Sequence, residues 1–403
     1  MVSTSAKGLV EIRIRWRGAR LAAEALSVGL SLSACGGTSE TSGAGGSGAT
    51  SAGGAGGAGT GGVTSSGGTG GATSTGGTST GGMSTGGTTT TSSTTSLTQP
   101  SGFLCNEPPP AGAVMPAALP AYTGGACPSL VAGENTLTSK GNARKFMLLF
   151  PADLGPDEKP PVLFLWHWLG GSAEDFIDKG QIQQAVDQQR FVAVVPRAKG
   201  DIQFHWPFSV ADSDARLDEE LTFFDDMLTC VASQFSANTS CVGSAGVSAG
   251  ALFTDQLAAR RDQYIASFLS LSGGVGGIIK PWANPERKLP GLVLWGGPTD
   301  NCFNLLKFDQ ESQTLEDNLT SQGNFFIECV HNCGHSEPPL DPPADGSSIY
   351  APLWGFVFDH PYWLAAGQSP YAQFGMPASM PTWCGIGKGS ATPRVGPCNG
   401  GGC

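Results

Sequence analysis

The sequence has little positive charge and no hydrophobic segment long enough to cross a membrane. Its 403 residues include 22 lysines and arginines against 33 aspartates and glutamates, a net charge of −11. The first 35 residues carry +3 and residues 36–100 carry −1, so the remaining residues carry −13. Such an acidic body lacks the basic patches that nucleic-acid phosphates require, and we expect no nucleic-acid partner. A transmembrane helix needs about 20 consecutive apolar residues, and no segment supplies them.

The N-terminus has the features of an export signal. A basic region ends at Arg20, a short apolar stretch follows, and Leu32–Cys35 (LSAC) comes next. This tetrapeptide resembles the lipobox of bacterial lipoproteins, which implies cleavage before Cys35 and lipidation of its thiol. Residues 1–35 are therefore predicted to be a lipoprotein-type signal, with a plain secretion signal or a misplaced start as alternatives. The predicted location is the cell envelope, facing the periplasm or the exterior, or the medium after secretion.

A low-complexity segment separates this signal from a globular region. Residues 36–100 are almost entirely Gly, Ser, Thr and Ala, and Glu40 is their single charged residue. Few of these residues could bury apolar surface, so nothing offsets the entropy lost on ordering them. The segment is predicted to be a disordered linker that holds a domain away from a membrane surface. Residues 101–403 have a globular composition and are predicted to form one catalytic domain with a disulfide-rich C-terminal tail.

Apolar runs in the globular region predict buried strands. Residues 143–150, 161–168 and 191–195 are apolar almost throughout, which is typical of strands covered on both faces of a parallel sheet. Apolar residues recur at spacings of four and three over 214–235, which predicts a helix with one buried face. Further strands are predicted at 239–246, 267–272, 291–296 and 325–330, and further helices at 173–189, from 248 onward and at 305–321. Strands that alternate with helices predict an α/β fold with a mostly parallel, doubly wound sheet.

The pattern G-x-S-x-G occurs once in residues 101–403, at Gly246–Gly250 (GVSAG). It lies between a predicted strand and a predicted helix, which is the position of the nucleophile in α/β-hydrolases. Glycines two residues on either side of Ser248 allow a tight turn that presents the hydroxyl above the carboxyl edge of the sheet. Ser248 is therefore the candidate nucleophile, and the alternative is an inert serine in a glycine-rich turn.

A nucleophilic serine needs a histidine base and an acid that orients the base. The sequence has only five histidines, and His335 follows the last predicted strand in HNCGH. His331 is the competitor, but it lies closer to the strand end and is expected to pack or bond locally. Asp300 closes the segment WGGPTD after a predicted strand, which gives the chain order serine, acid, histidine of α/β-hydrolases. A turn or cap role is the alternative for Asp300. The next predicted helix holds two further candidate acids, Asp309 and Asp317.

The oxyanion of an acyl-transfer intermediate needs about two hydrogen-bond donors. The backbone amide of Ala249, at the start of the predicted helix, is one candidate. The loop at 167–171 (HWLGG) offers the others, the amides of Trp168 and Leu169. A Gly-Gly turn with no catalytic role is the alternative for this loop.

Cysteines and histidines alternate in the segment CVHNCGH at 329–335. Alternate strand positions share one face, but the four side chains form a row too long to converge on one zinc ion. Since an exported protein favours disulfides over thiolates, we expect no metal. Ten cysteines remain if Cys35 is lipidated, which suits five disulfides, and Cys230 and Cys241 are expected to pair. Three further cysteines predict a C-terminal tail that is held by disulfides: Cys384, Cys398 and Cys403.

These motifs resemble the secreted esterase group that includes poly(3-hydroxybutyrate) depolymerases, feruloyl esterases and acetylxylan esterases. The resemblance covers roughly residues 140–340 and rests on HWLGGSAEDF at 167–176, a helix with two adjacent aspartates, GVSAG followed by alanine, and the closing CGH. It implies the α/β-hydrolase fold and substrate contacts from His167 and from Trp206, which lies in an aromatic segment similar to one that lines the cleft of relatives. The chain departs from the group at Trp168, where relatives usually have glycine.

The resemblance implies hydrolysis of carboxylic esters without a cofactor. Ser248 would attack the ester carbonyl, His335 would take the hydroxyl proton, and Asp300 would stabilise the imidazolium that forms. Polyesters, feruloylated polysaccharide and acetylated xylan stay open as substrates of a monomer that meets the membrane only through a lipid on Cys35. Two alternatives stay open: a non-catalytic surface-binding lipoprotein with a hydrolase fold, and a peptidase or acyltransferase that uses the same three residues.

Overall fold

A sheet flanked by helices forms the part of the chain that the structure, a computed structural model, describes, namely residues 102–200 and 213–398. Three predictions lie outside these residues: the signal at 1–35 with Cys35, the linker at 36–100 and the substrate contact at Trp206. The described strands are β1 (Gly133–Ser139), β2 (Asn142–Leu149), β3 (Val162–Trp166), β4 (Val192–Pro196), β5 (Val242–Val247), β6 (Ser267–Leu271), β7 (Gly291–Trp295), β8 (Asn301–Cys302), β9 (Leu306–Lys307), β10 (Phe326–Val330) and β11 (Cys384–Ile386). The described α-helices are α1 (Ala173–Lys179), α2 (Ile182–Gln189), α3 (Asp214–Phe235), α4 (Ala249–Arg260), α5 (Phe308–Gln322), α6 (Ala351–Phe358) and α7 (Pro370–Phe374).

Nine of the described strands form one sheet in the order β1-β2-β4-β3-β5-β6-β7-β10-β11. The strands from β4 to β10 in this order pair in parallel, whereas β1, β2 and β11 join the two edges by antiparallel pairing. Along β3, Phe164 and Trp166 belong to a hydrophobic cluster with residues of α3, α4 and α5, and the alternate Leu163 and Leu165 belong to a second cluster with residues of α1, α2 and α6. Strand β3 is buried along its whole length because helices cover both faces of the sheet. The prediction of a mostly parallel, doubly wound α/β sheet is confirmed.

Helix α3 forms where the apolar spacing over 214–235 predicted a helix. The five apolar residues that recur at spacings of four and three are all buried: Leu217, Leu221, Phe224, Leu228 and Val231. Ser213 caps the helix, because its hydroxyl accepts the backbone N–H of Arg216 at 3.2 Å. Of the helices in the described residues, none is long and apolar enough to cross a bilayer.

Several elements differ from the sequence prediction, among them β8, β9, α6 and α7, which were not predicted. The helix predicted at 173–189 is interrupted between α1 and α2, where Gln181 adopts a left-handed conformation with φ of 49°. Strand β1 was not predicted, since it alternates between buried and exposed residues at the edge of the sheet and carries no apolar run. Strand β11 was also missed because it has three residues and is held by pairing with β10 rather than by its own pattern.

Four disulfides join distant segments of the described residues. They are Cys105–Cys241, Cys127–Cys230, Cys329–Cys384 and Cys333–Cys398. The expected pair Cys230–Cys241 is wrong, because the end of α3 and the start of β5 bond to different segments that precede β1. Cys329 and Cys333 have no thiolate to offer zinc once both are oxidised, and Cys403 lies outside the described residues. Structural disulfides are consistent with an exported protein.

Candidate active site

Ser248 occupies a sharp turn between β5 and α4. Its backbone has φ of 55° and ψ of −118°, an unusual conformation for a residue with a side chain. Such strain persists only where the surrounding structure enforces it, and it is common at functional sites. The turn places the hydroxyl at the carboxyl ends of the parallel strands, and Ser248 is only 8% exposed.

The two glycines of GVSAG are required by close backbone approaches on both sides of Ser248. A Cβ on Gly246 would lie 2.1 Å from the carbonyl oxygen of Gly250. A Cβ on Gly250 would lie 2.0 Å from the carbonyl oxygen of Trp166, at the end of β3. Any other residue at either position would push α4 away from the sheet.

His335 lies between Ser248 and Asp300. Its Nε2 is 2.8 Å from the Ser248 hydroxyl oxygen, and its Nδ1 is 2.7 Å from Oδ1 of Asp300. A neutral imidazole that donates from Nδ1 to the carboxylate can accept the serine proton at Nε2. The ring also stacks on Phe308, at 4.1 Å between centroids. These contacts fix the imidazole on three sides.

Asp300 is fully buried, and hydrogen bonds hold both of its carboxylate oxygens. Oδ2 accepts the hydroxyl of Ser272 at 2.8 Å and the backbone N–H of Gly296 at 2.7 Å, while Oδ1 faces His335. Three donors satisfy a carboxylate that would otherwise be costly to bury. Sequence reasoning missed Ser272, Gly296 and Phe308, since contacts between separate loops leave no local pattern.

His331, the competing histidine, bonds locally. Its Nδ1 accepts the backbone N–H of Cys333 at 3.2 Å, and its ring meets the edge of Trp383 at 6.0 Å between centroids. Burial lowers the pKa of His331 to about 4, so the ring is neutral at physiological pH. A neutral, buried ring suits the role of an acceptor that shapes the loop before His335.

The segments that carry the candidate oxyanion donors lie next to each other at one edge of the sheet. The close approach of Gly250 to the carbonyl oxygens of Trp166 and His167 places Ala249, at the start of α4, beside the loop that carries Trp168 and Leu169. Nδ1 of His167 donates to the Trp168 carbonyl at 3.0 Å, and the amide of Gly171 donates to the same oxygen at 3.1 Å. His167 is 2% exposed, so the structure places it beneath this loop.

The Trp168 side chain covers the loop at 167–171. Its ring lies against Gly171, where an added Cβ would come within 2.6 Å of the indole. The ring is 6.2 Å from that of Phe176, and the Lys179 ammonium lies 5.0 Å above it. Lys179 also binds Glu337 at 2.7 Å, two residues after His335. Trp168, Lys179 and Glu337 therefore form a side-chain bridge between α1 and the segment after His335.

No protein-family model and no curated protein matches the sequence. Solved structures match it at low identity. The complex of a pOPH variant with DMSO superposes with a TM-score of 0.53 at 15% identity, over 69% of this chain and 99% of that chain. Native sOPH gives 0.51 at 16% identity, over 66% and 99%. A ferulic acid esterase from Anaeromyces mucronatus gives 0.42 at 14% identity, over 58% and 92%. Together with the strand order and the turn at Ser248, the first two matches show that this chain has the α/β-hydrolase fold.

Proposed function

We propose that this chain is a serine esterase that hydrolyses carboxylic esters through an acyl-enzyme on Ser248. The observation that carries the proposal is the hydrogen-bonded series from Ser248 through His335 to Asp300, with distances of 2.8 and 2.7 Å. Nucleophile, base and orienting acid in this geometry are the parts that acyl transfer needs. The strained turn at Ser248 and the full burial of Asp300 support the same assignment.

The proposed reaction begins when Ser248 attacks the ester carbonyl and Nε2 of His335 takes the hydroxyl proton. The Asp300 carboxylate stabilises the imidazolium without itself becoming protonated. The backbone amide of Ala249, with that of Leu169 or Trp168, donates a hydrogen bond to the carbonyl oxygen and stabilises the negative charge that develops on it. His335 then protonates the departing alcohol, and a water molecule that it activates releases the acid.

An uncharged, apolar polyester is the substrate class that we favour among the open ones. Directly after Asp300 the chain forms the hairpin β8–β9, whose tip exposes Phe303 and Leu305 at 68% and 67%. Apolar side chains that stay in water contribute nothing to the core, so their presence beside the site favours contact with an apolar substrate. The hairpin also carries no acidic residue in this acidic protein.

We also propose that the enzyme acts at the cell surface. A lipid on Cys35 would anchor it, and residues 36–100 would extend the catalytic domain toward an insoluble substrate. Four disulfides favour the oxidising environment that such a location provides.

The first experiment is hydrolysis of p-nitrophenyl acetate, butyrate and octanoate by the full-length chain, beside Ser248→Ala and His335→Ala. We expect both variants to lose at least about 1,000-fold in kcat, because the residues of such a triad act as a unit. Ser233→Ala, which removes an exposed serine of α3, is the matched control and should retain full activity.

Labelling with a fluorophosphonate separates the alternatives. A folded wild type that neither turns over these esters nor labels at Ser248 would contradict the proposal and favour a binding protein. Labelling without ester turnover would indicate a peptidase or acyltransferase. Labelling and turnover that both disappear in Ser248→Ala support the esterase.

A further inference from the structure

We propose that the C-terminal segment 394–398, here called the tail clasp, positions His335 for catalysis. The proposal deepens the proposed function, since it assigns a role in the same site to residues about 60 positions away in sequence. The clasp acts on residues 331–335, here called the His335 loop, which joins the end of β10 to the imidazole. The tail clasp touches neither Ser248 nor the imidazole in any described contact, so its members are positioning residues.

The His335 loop has no regular secondary structure and is fixed from one side by the acid-bearing loop. The amide of Gly334 donates to the carbonyl oxygen of Gly296 at 3.0 Å, and His331 accepts the amide of Cys333. The approach is close, because a Cβ on Gly296 would lie 1.9 Å from the carbonyl oxygen of Gly334. This side aligns the loop with Asp300.

The tail clasp holds the other side of the same loop. Cys398 forms a disulfide with Cys333, and the side chain of Arg394 donates to Oδ1 of Asn332 at 2.9 Å. The Asn332 amide in turn donates to the carbonyl oxygen of Gly396 at 2.8 Å. A fourth contact lies at the end of β10, where the amide of Arg394 donates to the carbonyl oxygen of Val330 at 2.9 Å.

The disulfide and the two contacts of Asn332 meet the chain two and three residues before His335. Two residues of chain span at most about 7 Å, so a shift of Cys333 moves the imidazole directly. A displacement of about 1 Å in a catalytic group can cost up to about 100-fold in rate. The clasp therefore restrains the loop where displacement matters most for Nε2 and the Ser248 hydroxyl.

A neighbouring disulfide provides a matched control. Cys329–Cys384 joins β10 to β11 across 55 residues, and Cys333–Cys398 spans 65 residues, so the two should restrain the unfolded chain to a similar extent. Cys329 precedes the His335 loop and lies within β10, where strand pairing already fixes the backbone. Only the second disulfide acts on the loop itself.

The test compares Cys333→Ala/Cys398→Ala with Cys329→Ala/Cys384→Ala in the full-length protein, with Arg394→Ala as a variant that breaks no covalent bond. For p-nitrophenyl butyrate we expect the first pair to lower kcat about tenfold or more, with KM nearly unchanged. The control pair should lower the unfolding temperature by a similar amount and leave kcat within about twofold of wild type. Arg394→Ala should lower kcat by a few-fold without a large change in unfolding temperature.

Proton NMR of the His335 imidazole gives a readout that does not need turnover. The Nδ1 proton shared with Asp300, identified by its loss in His335→Ala, should weaken or disappear in the first pair and persist in the control pair. Equal kcat losses in both pairs, or an unchanged Nδ1 signal in the first pair, would overturn the positioning role. Absence of ester turnover in the wild type would count against the proposed function alone, because the NMR comparison still decides whether the clasp positions His335.

Discussion

The backbone turn at Ser248 depends on the absence of side chains two residues before and two residues after it. Gly246 and Gly250 have no side chains, and this absence lets α4 start against the ends of β3 and β5. The φ of 55° at Ser248 accompanies that packing, because a single residue turns the chain sharply from the strand into the helix. The turn that presents Ser248 therefore has no room for even a methyl group at Gly246 or Gly250.

Gly250→Ala should damage both stability and activity. Alanine usually stabilises a helix by about 1 kcal/mol relative to glycine, but here its Cβ would meet the Trp166 carbonyl oxygen. We expect the free energy of unfolding to fall by about 1–3 kcal/mol, measured in urea, and kcat to fall at least about tenfold. Gly102→Ala is the control, because a Cβ there meets nothing within 4 Å. Wild-type stability in Gly250→Ala would contradict the packing argument.

The protonation of Asp255, a buried residue of α4, makes the stability of the fold depend on pH. Asp255 is fully buried, and its Oδ2 accepts the Ser270 hydroxyl at 2.9 Å and the Gly274 amide at 2.7 Å. Oδ1 has no hydrogen-bond partner among the described residues. Burial raises the pKa of this carboxyl from 3.8 to about 8, so the folded state holds a proton that the unfolded state releases.

Asp255→Asn should therefore flatten the pH dependence of stability. The folded pKa is raised, so the contribution of Asp255 is fully present below pH 4 and is lost as the pH rises toward 8. We expect the variant to gain stability relative to wild type as the pH rises across that range, measured as urea midpoints at pH 4, 6 and 8. Asp317→Asn, at a largely exposed side chain, should leave the slope unchanged. A constant difference between Asp255→Asn and wild type at all three pH values would exclude the buried proton.

Among the elements, the β8–β9 hairpin is unusual because it is strained and exposed at once. Phe303 and Asn304 have φ of 55° and 54°, which is unfavourable for residues with side chains and especially for a bulky one. One end of the hairpin is Asp300 and the other leads into Phe308, and both of these contact His335. The hairpin thus joins its exposed apolar tip to two residues that contact His335, the histidine base of the candidate triad.

Phe303→Ser and Leu305→Ser should separate insoluble from soluble substrates. Removing an apolar contact worth about 1.5–3 kcal/mol should reduce hydrolysis of an insoluble aliphatic polyester film at least about tenfold. Hydrolysis of p-nitrophenyl acetate should stay within about twofold of wild type, because the triad is untouched. Val131→Ser, at another exposed apolar residue just before β1, is the control. Equal losses on film and soluble ester would show that the hairpin supports the triad rather than the substrate.

At the scale of the whole molecule, the active-site end and the opposite end of the sheet have separate tasks. Ser248, Asp300 and His335 follow the carboxyl ends of β5, β7 and β10. The Cys105–Cys241 disulfide lies at the amino end of β5 and ties the segment before β1 to the central sheet. We therefore expect a change at the disulfide end to alter stability without moving the triad at the other end.

Cys105→Ala/Cys241→Ala should lower stability and spare catalysis. The disulfide closes a loop of 136 residues, so its removal should cost about 2–5 kcal/mol of unfolding free energy. We expect kcat of the folded protein to stay within about twofold of wild type at a temperature where the variant is folded. A large loss of kcat with unchanged stability would mean that the two ends of the sheet are coupled.

Much of this architecture could be predicted because local pattern and fold agree. Continuous apolar runs predicted β3 and β4, four-and-three spacing predicted α3, and glycines around a serine predicted the turn before α4. Asp300 and His335 stood out because α/β folds bring the ends of their strands to one edge, and the structure places His335 beside Ser248 and Asp300 beside His335. The edge strands β1 and β11 had no such pattern, because their neighbours rather than their own side chains hold them in the sheet.

What the sequence determined by itself was the succession of strands and helices and the residue types able to carry acyl chemistry. Only the tertiary structure decided which cysteines pair, that Ser272 and Gly296 hold Asp300, and that the tail clasp closes on the His335 loop. The reason is physical: periodicity reports the burial of neighbouring residues, whereas contacts across tens of residues depend on how the packed elements meet. The wrong pairing of Cys230 with Cys241 shows the difference, since 11 residues of separation said nothing about which segments lie opposite each sulfur.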